Sequence, residues 1–273
     1  MPEAPEVQTV LSTLERQIKN IKITHVEIKY ERLIDTMDAS EFSKNLVGQS
    51  IQSFFRIGKY LGFITENYDW IIHLRMEGKF YLLEEYPEDK HIHAIFTLDD
   101  GRYLCYHDTR KFGRMYLYEK IDKKHDHSCF KHVGRDFLDC DAHYVYEKMH
   151  NSNRAVKMAL LDQSIIAGIG NIYADEIAFA CRLHPETPCT ELTMEDYENI
   201  VFHTKRILNG AIRYGGTTIR SYTSSLGVTG RFQLKLKVHR RENETCFVCG
   251  TKIERIKVGQ RSTYLCPNCQ KRK

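Results

Sequence analysis

Cys246-Phe247-Val248-Cys249 and, sixteen residues later, Cys266-Pro267-Asn268-Cys269 lie near the end of the chain. Two Cys-x2-Cys knuckles at this separation have zinc-ribbon spacing. Four thiolates make a closed tetrahedral shell with no open position, so one structural zinc ion is expected on Cys246, Cys249, Cys266 and Cys269. Residues 252–258 and 261–265 flank Gly259-Gln260 and read as a hairpin between the knuckles. Arg261 falls near its tip, either as a phosphate contact or as an ordinary surface arginine.

Outward from the ribbon, basic residues dominate 231–273, and the chain ends Gln270-Lys271-Arg272-Lys273. Such a run is a solvated tail or an electrostatic footprint for phosphate, and the adjoining zinc spacing favours the second. The remaining cysteines (Cys105, Cys129, Cys140, Cys181, Cys189) show no paired spacing and read as free thiols in a reducing compartment. The 273 residues are enough for two domains, and 42% apolar with 28% charged residues is ordinary for a globular protein. No apolar run approaches the ~20 residues that span a bilayer, and no basic-then-apolar leader opens the chain. A cytoplasmic protein without a membrane partner is expected.

The other end reads Met1-Pro2-Glu3-Ala4-Pro5-Glu6. Loss of Met1 would leave Pro2 as a terminal secondary amine beside the Glu3 carboxyl. An amine nucleophile next to an acid or base is a working pair for covalent catalysis on a sugar aldehyde carbon. Pro5 suits the first helical position, and Val7, Val10, Leu11, Leu14 and Ile18 continue at helical spacing. The positive end of that helix would disfavour a protonated amine at Pro2.

Between the two ends, strands are predicted at 23–30, 54–65, 70–76 and 79–84, with a hairpin of 93–98 and 103–106 about Asp99-Asp100-Gly101, then 114–118. One helix followed by short strands points to a sandwich or barrel. The second half is helical. Thr193-x-x-Asp196 is a capping-box start for a helix that runs to Gly215-Gly216. Gly168-Ile169-Gly170-Asn171 opens another, as an ordinary turn or an anion site, with Asn171 at the cap. Lys59 follows a glycine within an apolar run and reads as a phosphate contact, a proton carrier or an exposed lysine. Arg110 and Phe112 share one face of an extended segment and could fill a gap in a base stack. Met76 could be a third wedge, although its periodicity favours the core.

Taken singly, the signals outside the ribbon are ambiguous; their order is specific. Pro-Glu-x-Pro-Glu-Val, Arg-x-Gly-Lys-Tyr-Leu, His-Leu-Arg-Met-Glu-Gly-Lys, Asp-x-Arg-Lys-Phe-Gly, Ala-Gly-Ile-Gly-Asn-Ile-Tyr-Ala-Asp-Glu, Gly-Gly-Thr-Thr-Ile-Arg and the ribbon follow one another along the chain. The sequence resembles the bacterial formamidopyrimidine-DNA glycosylases from end to end. The resemblance implies an α+β protein: an N-terminal β-sandwich with flanking helices, then a helix–two-turn–helix and the four-cysteine zinc ribbon. The corresponding boundaries are 1–132, a connection at 133–149, 150–230 with a lesion-capping loop at 217–230, and 231–273. The implied activity is bifunctional excision of oxidised purines, 8-oxoguanine and formamidopyrimidines, with β,δ-elimination at the abasic sugar. Carried over by position, Pro2 is the Schiff-base nucleophile and Glu3 its acid/base partner. Lys59 is linked to phosphate binding and β-elimination, and Arg261 to phosphate contact and δ-elimination. Met76, Arg110 and Phe112 fill the vacated stack, with Arg110 facing the estranged cytosine. His91, rather than His93, joins Lys157 and Asn171 at the DNA backbone. The implied partner is damaged double-stranded DNA, bound by a monomer in the nucleoid.

The chain departs from the family pattern at Ala4, Asn153, Met158 and Val133-Gly134-Arg135-Asp136, and none of these removes a catalytic group. Arg154 is placed to compensate for Asn153. Two rivals remain at this stage. An endonuclease VIII-like glycosylase for oxidised pyrimidines fits less well with Arg110, Phe112 and the long loop. A non-catalytic lesion-binding protein fits less well with intact Pro2, Glu3 and Lys59.

Overall fold

Helix α1 (Ala4–Ile18) begins one residue before the place that Pro5 suggests. Glu3 is the N-cap, Ala4 takes the first position, Pro5 the second and Glu6 the third. The cause is Glu6, whose Oε2 accepts the Glu3 N–H at 3.0 Å and turns the chain into the helix there. The apolar stripe is as predicted: Val7, Leu14 and Ile18 are fully buried, with Val10 and Leu11 nearly so.

The computed structural model describes residues 1–217 and 230–272. Most of the lesion-capping loop expected at 217–230 therefore lies outside the described residues. The chain forms two units, one of residues 1–131 with 215–230 and one of 132–214 with 231–273.

In the first unit, β1 (Ile23–Ile28), helix α2 (Ala39–Leu46), β2 (Ser53–Ile57), β3 (Tyr60–Ile64), β4 (Tyr68–His73), β5 (Lys79–Leu83), β6 (Ile92–Leu98), β7 (Tyr103–His107) and β8 (Arg114–Glu119) follow α1. They build two antiparallel four-stranded sheets, ordered β1-β6-β7-β5 and β2-β3-β4-β8. Residues from both sheets, α1 and α2 share one core. Trp70 sits in it without exposure, its ring 4.8 Å from Phe63 and 4.5 Å from Phe96. Such tilted and edge-on contacts are favoured by the ring quadrupoles. The single strand expected at 54–65 is instead a hairpin. Ile57 pairs with Tyr60 across a two-residue Gly58-Lys59 turn, with Gly58 at φ 57°. A glycine at the first turn position with positive φ matches the twist of the flanking strands. Apolar residues on both sides of so short a turn concealed it.

The second unit holds β9 (Arg135–Asp136), α3 (Ala142–Met149), α4 (Val156–Leu160), β10 (Ile166–Ala167), α5 (Asn171–Ala180), α6 (Met194–Arg213), β11 (Glu254–Val258) and β12 (Arg261–Leu265). The stretch 133–149, expected as a connection, thus carries a short strand and a helix. Every residue of α5 from Ile172 to Phe179 is buried, including Asp175 and Glu176. The predicted capping box opens α6: Asp196 Oδ2 accepts the Thr193 N–H at 2.7 Å, and Thr193 Oγ1 accepts the Asp196 N–H at 3.3 Å. β11 and β12 pair as the predicted ribbon hairpin, turning at Gly259 and Gln260, both at positive φ. The α+β class read from the sequence holds. No helix among the described residues is long and apolar enough to cross a membrane.

Candidate active site and nucleic-acid interface

Pro2 is buried at the entrance to α1, and Glu3 is only 3% exposed. While Met1 is present, the Pro2 nitrogen is an amide; removal of Met1 makes it the terminal amine. The Met1 terminal amine, one residue ahead of Pro2, is held below its usual range. Burial is the largest cause, Lys59 pushes the same way, and Glu3, Glu6 and Glu77 oppose them. Lys59 is itself buried, although it stands at a hairpin tip. It also bears on His73, whose pKa falls to about 3 through burial, then Arg75, then Lys59. His73 is therefore neutral, and Nδ1 accepts the Arg75 N–H at 3.0 Å, which puts the ring proton on Nε2.

Glu6 does more than open α1. Its Oε1 accepts both the N–H and the hydroxyl of Thr217, at 2.7 and 2.9 Å. A Cβ on Gly216, which has φ 76°, would come within 2.8 Å of that oxygen. One buried carboxylate therefore fixes the Glu3 backbone and Thr217 together.

The segment carrying Arg110 and Phe112 is built on Asp108, another group missed at first. The fully buried Asp108 accepts the Arg110 N–H through Oδ1 and the Phe112 and Gly113 N–H groups through Oδ2, each at 2.9 Å. Its signal was local: an Asp that captures amides a few residues on is a turn device. The turn pushes the Phe112 ring to 47% exposure, with the Arg110 guanidinium 4.7 Å from the ring centroid. Lys111 between them adopts φ 57°. Thr109 donates to Glu77, tying this turn to the one that carries Met76. Met76 is half-buried in the turn after β4 and is absent from the sandwich core, against its periodicity. His91 is half-buried, with its ring 5.7 Å from that of His107. His93 is buried, and its Nε2 donates to the Asp108 carbonyl at 2.8 Å, so it braces the turn from beneath.

In the second unit Arg261 is exposed at the first position of β12, opposite the buried Val258. Asn171 is the first residue of α5; Gly170 is the cap. Its Nδ2 donates to the Ser262 carbonyl at 3.1 Å, and its buried Oδ1 has no partner among the described residues. Lys157, expected at the DNA backbone, requires correction. It has no exposed surface, and its ammonium meets Asp175 Oδ1 at 2.6 Å, Thr263 Oγ1 at 2.7 Å and the Ser262 carbonyl at 3.1 Å. A buried ammonium needs such partners, and they hold it away from a surface ligand. Arg154 donates to Asp162 and to the Met158 carbonyl, at 2.8 and 3.1 Å.

The four ribbon cysteines converge with all sulfurs within 4.8 Å of one another. Cys246 and Cys269 stand 3.9 Å apart, Cys249 and Cys266 3.4 Å. Tetrahedral Zn–S bonds of ~2.3 Å require sulfurs about 3.8 Å apart, so the cluster fits one structural zinc. Hydrogen bonds from Thr251 and Asn268 bring the Cys249 thiol down to about 5, whereas burial pushes the neighbouring Cys266 and Cys269 thiols up.

Three family models match the chain. The formamidopyrimidine-DNA glycosylase N-terminal domain covers residues 1–115, the H2TH domain of the same enzymes covers 134–223, and the zinc finger found in FPG and IleRS covers 243–272. A formamidopyrimidine-DNA glycosylase from Ureaplasma parvum is 42% identical over 99% of this chain and 100% of its own length. Two solved structures of Lactococcus lactis Fpg, one with DNA containing N7-benzyl-Fapy-dG and one with DNA containing an abasic site, are each 37% identical. Each matches with a TM-score of 0.92 over 99% of this chain and 100% of the other.

Proposed function

The chain belongs to the formamidopyrimidine-DNA glycosylase family, and from that premise we propose that it is a bifunctional base-excision-repair glycosylase and abasic-site lyase for oxidised purines. The observation that carries the reading is the buried start of α1, where Pro2, Glu3 and Lys59 are all buried and where burial and Lys59 hold the Met1 amine, one residue ahead of Pro2, below its usual pKa. A neutral amine in a site that excludes water is a competent nucleophile at neutral pH.

With Met1 removed, the Pro2 nitrogen attacks C1′ of the flipped nucleotide. The damaged base leaves with the C1′–N9 electron pair and takes up the proton that the nitrogen sheds. Glu3 protonates O4′ as the C1′–O4′ bond breaks, and the nitrogen lone pair completes the iminium. Loss of a C2′ proton then breaks the C3′–O bond, and loss of the C4′ proton breaks the C5′–O bond. In each elimination the phosphate oxygen leaves with the bonding pair, and water finally hydrolyses the iminium. Lys59 serves the first elimination. The exposed Arg261 serves a phosphate at the second. Met76, Arg110 and Phe112 occupy the gap left by the base, since a base held out of the stack needs a substitute. A zinc ion bound by Cys246, Cys249, Cys266 and Cys269 would hold the ribbon together. The DNA of the Lactococcus complexes agrees with this substrate class.

The test is product analysis on a duplex with 8-oxoguanine opposite cytosine. Release of the base together with a one-nucleotide gap bounded by phosphates is the expected result. Release of the base with an intact strand would refute the lyase half, and no release from 8-oxoguanine or formamidopyrimidine duplexes would refute the whole.

A further inference from the structure

We propose that Lys157, held by Asp175, is a positioning residue for Arg261, acting through Ser262 and Thr263 at the start of β12. The proposal rests on the assignment of Arg261 to the second elimination. A two-stranded hairpin on its own is marginal in water, so the aim of a side chain beside its turn has to come from outside it. The outside contacts converge on this one place.

The Ser262 carbonyl accepts from both Lys157 Nζ and Asn171 Nδ2, each at 3.1 Å. Thr263 Oγ1 accepts from Lys157 Nζ at 2.7 Å and donates to the Arg261 carbonyl at 3.1 Å. The peptide on either side of Ser262 is thus clamped by one ammonium. The next residue of α4, Met158, meets the turn itself: a Cβ on Gly259 would stand 2.2 Å from its sulfur. This assigns a place to Met158, one of the departures from the family pattern.

Lys157 is in turn held from behind. Asp175 Oδ1 takes its ammonium at 2.6 Å, and Oδ2 takes His239 Nδ1 at 2.6 Å. The neighbouring Glu176 gathers the backbone N–H groups of Lys237, Val238 and His239 at 2.8 to 3.0 Å. Two adjacent acids on a buried helix therefore fix the strap that enters the ribbon and the lysine that grips its hairpin. A buried ion pair contributes little net stability, whereas it defines geometry strongly. Lys157 touches no substrate in this arrangement; its effect passes through the backbone of Arg261.

The experiment uses the full chain loaded with zinc and freed of Met1, on a duplex with a single abasic site. Denaturing electrophoresis separates the unsaturated-aldehyde end left by the first elimination from the phosphate end left by the second. Thr263→Val removes only the bridging hydroxyl and keeps the shape, so it stands beside the harsher Lys157→Met. In both, the ratio of second to first elimination should fall by about fivefold or more, the effect of losing a hydrogen bond of ordinary strength. The rate of the first elimination and the zinc content should stay unchanged. A ratio lowered by Arg261→Ala but not by Lys157→Met or Thr263→Val would overturn the positioning role alone. A parallel fall of both eliminations would make the network merely structural and would overturn it too. A ratio unaffected by Arg261→Ala would overturn the assignment beneath it, and the proposal with it.

Discussion

Asp108→Asn should loosen the turn that carries Arg110 and Phe112 without changing either of those side chains. The carboxylate oxygens accept three backbone N–H groups, one at Oδ1 and two at Oδ2. An amide in the same place must point its NH2 at one of these sites. The cheaper flip puts it at Oδ1 and faces the Arg110 N–H with another donor. That amide lies near the surface and recovers water, so its loss costs toward the lower end of ~1–3 kcal/mol. The two surviving bonds change from a carboxylate to a neutral acceptor and weaken by about 0.5–1 kcal/mol each. The sum is roughly 2–4 kcal/mol, a fall of roughly 5–15 °C in Tm for a unit of this size. Scanning calorimetry reads the stability. Excision from 8-oxoguanine paired with cytosine or with adenine reads the function, with Arg110→Ala as the reference. The variant should lose most of the opposite-base discrimination that Arg110→Ala loses. A variant with unchanged Tm and unchanged discrimination would refute the view that Asp108 organises the wedge.

The amine at the chain start supplies a pH test. Burial and Lys59 disfavour the Met1 ammonium; the same surroundings acting on Pro2 once Met1 is removed should keep the nucleophilic form below the usual α-amino value of about 7.7–8.0, and the acid limb of the trapping rate should lie below it. Lys59→Met removes a positive neighbour that lowers this pKa, so the limb should move to higher pH, whatever happens to the plateau rate. A limb that stays in place or moves down would contradict the coupling. At the other end of the chain, Cys249→Ser leaves three thiolate ligands. The ribbon should release zinc to a chelator that leaves the unaltered chain loaded, and DNA affinity should fall with it; metal content by atomic emission and a binding titration would check both.

What the sequence disclosed and what it hid divide along physical lines. The ribbon was legible because four ligands at fixed local spacing leave few alternatives, and α6 because Thr193 and Asp196 cap each other within one turn. The start of α1 was legible to within a residue, because Pro5 and Glu6 mark the first turn without fixing which of its positions Pro5 takes. The hairpin at Gly58-Lys59 was hidden because two residues between apolar stretches barely interrupt a strand pattern, although this turn places Lys59 near the start of the chain. Lys157 was hidden for a different reason. Its partners are 18 residues away at Asp175 and 106 away at Thr263, and no local pattern announces a buried ion pair. Met76 misled because methionine at an apolar period is more often core than turn. Ala4, one of the departures from the family pattern, is fully buried at the first position of α1.

The account turns on the nitrogen of Pro2. The most direct measurement is borohydride trapping on a duplex carrying 8-oxoguanine opposite cytosine, followed by proteolysis and mass spectrometry of the DNA-linked peptide. The account predicts a chain without Met1 and a single adduct on the Pro2 nitrogen. An adduct on Lys59 or another lysine, or active trapping by a chain that retains Met1, would contradict it.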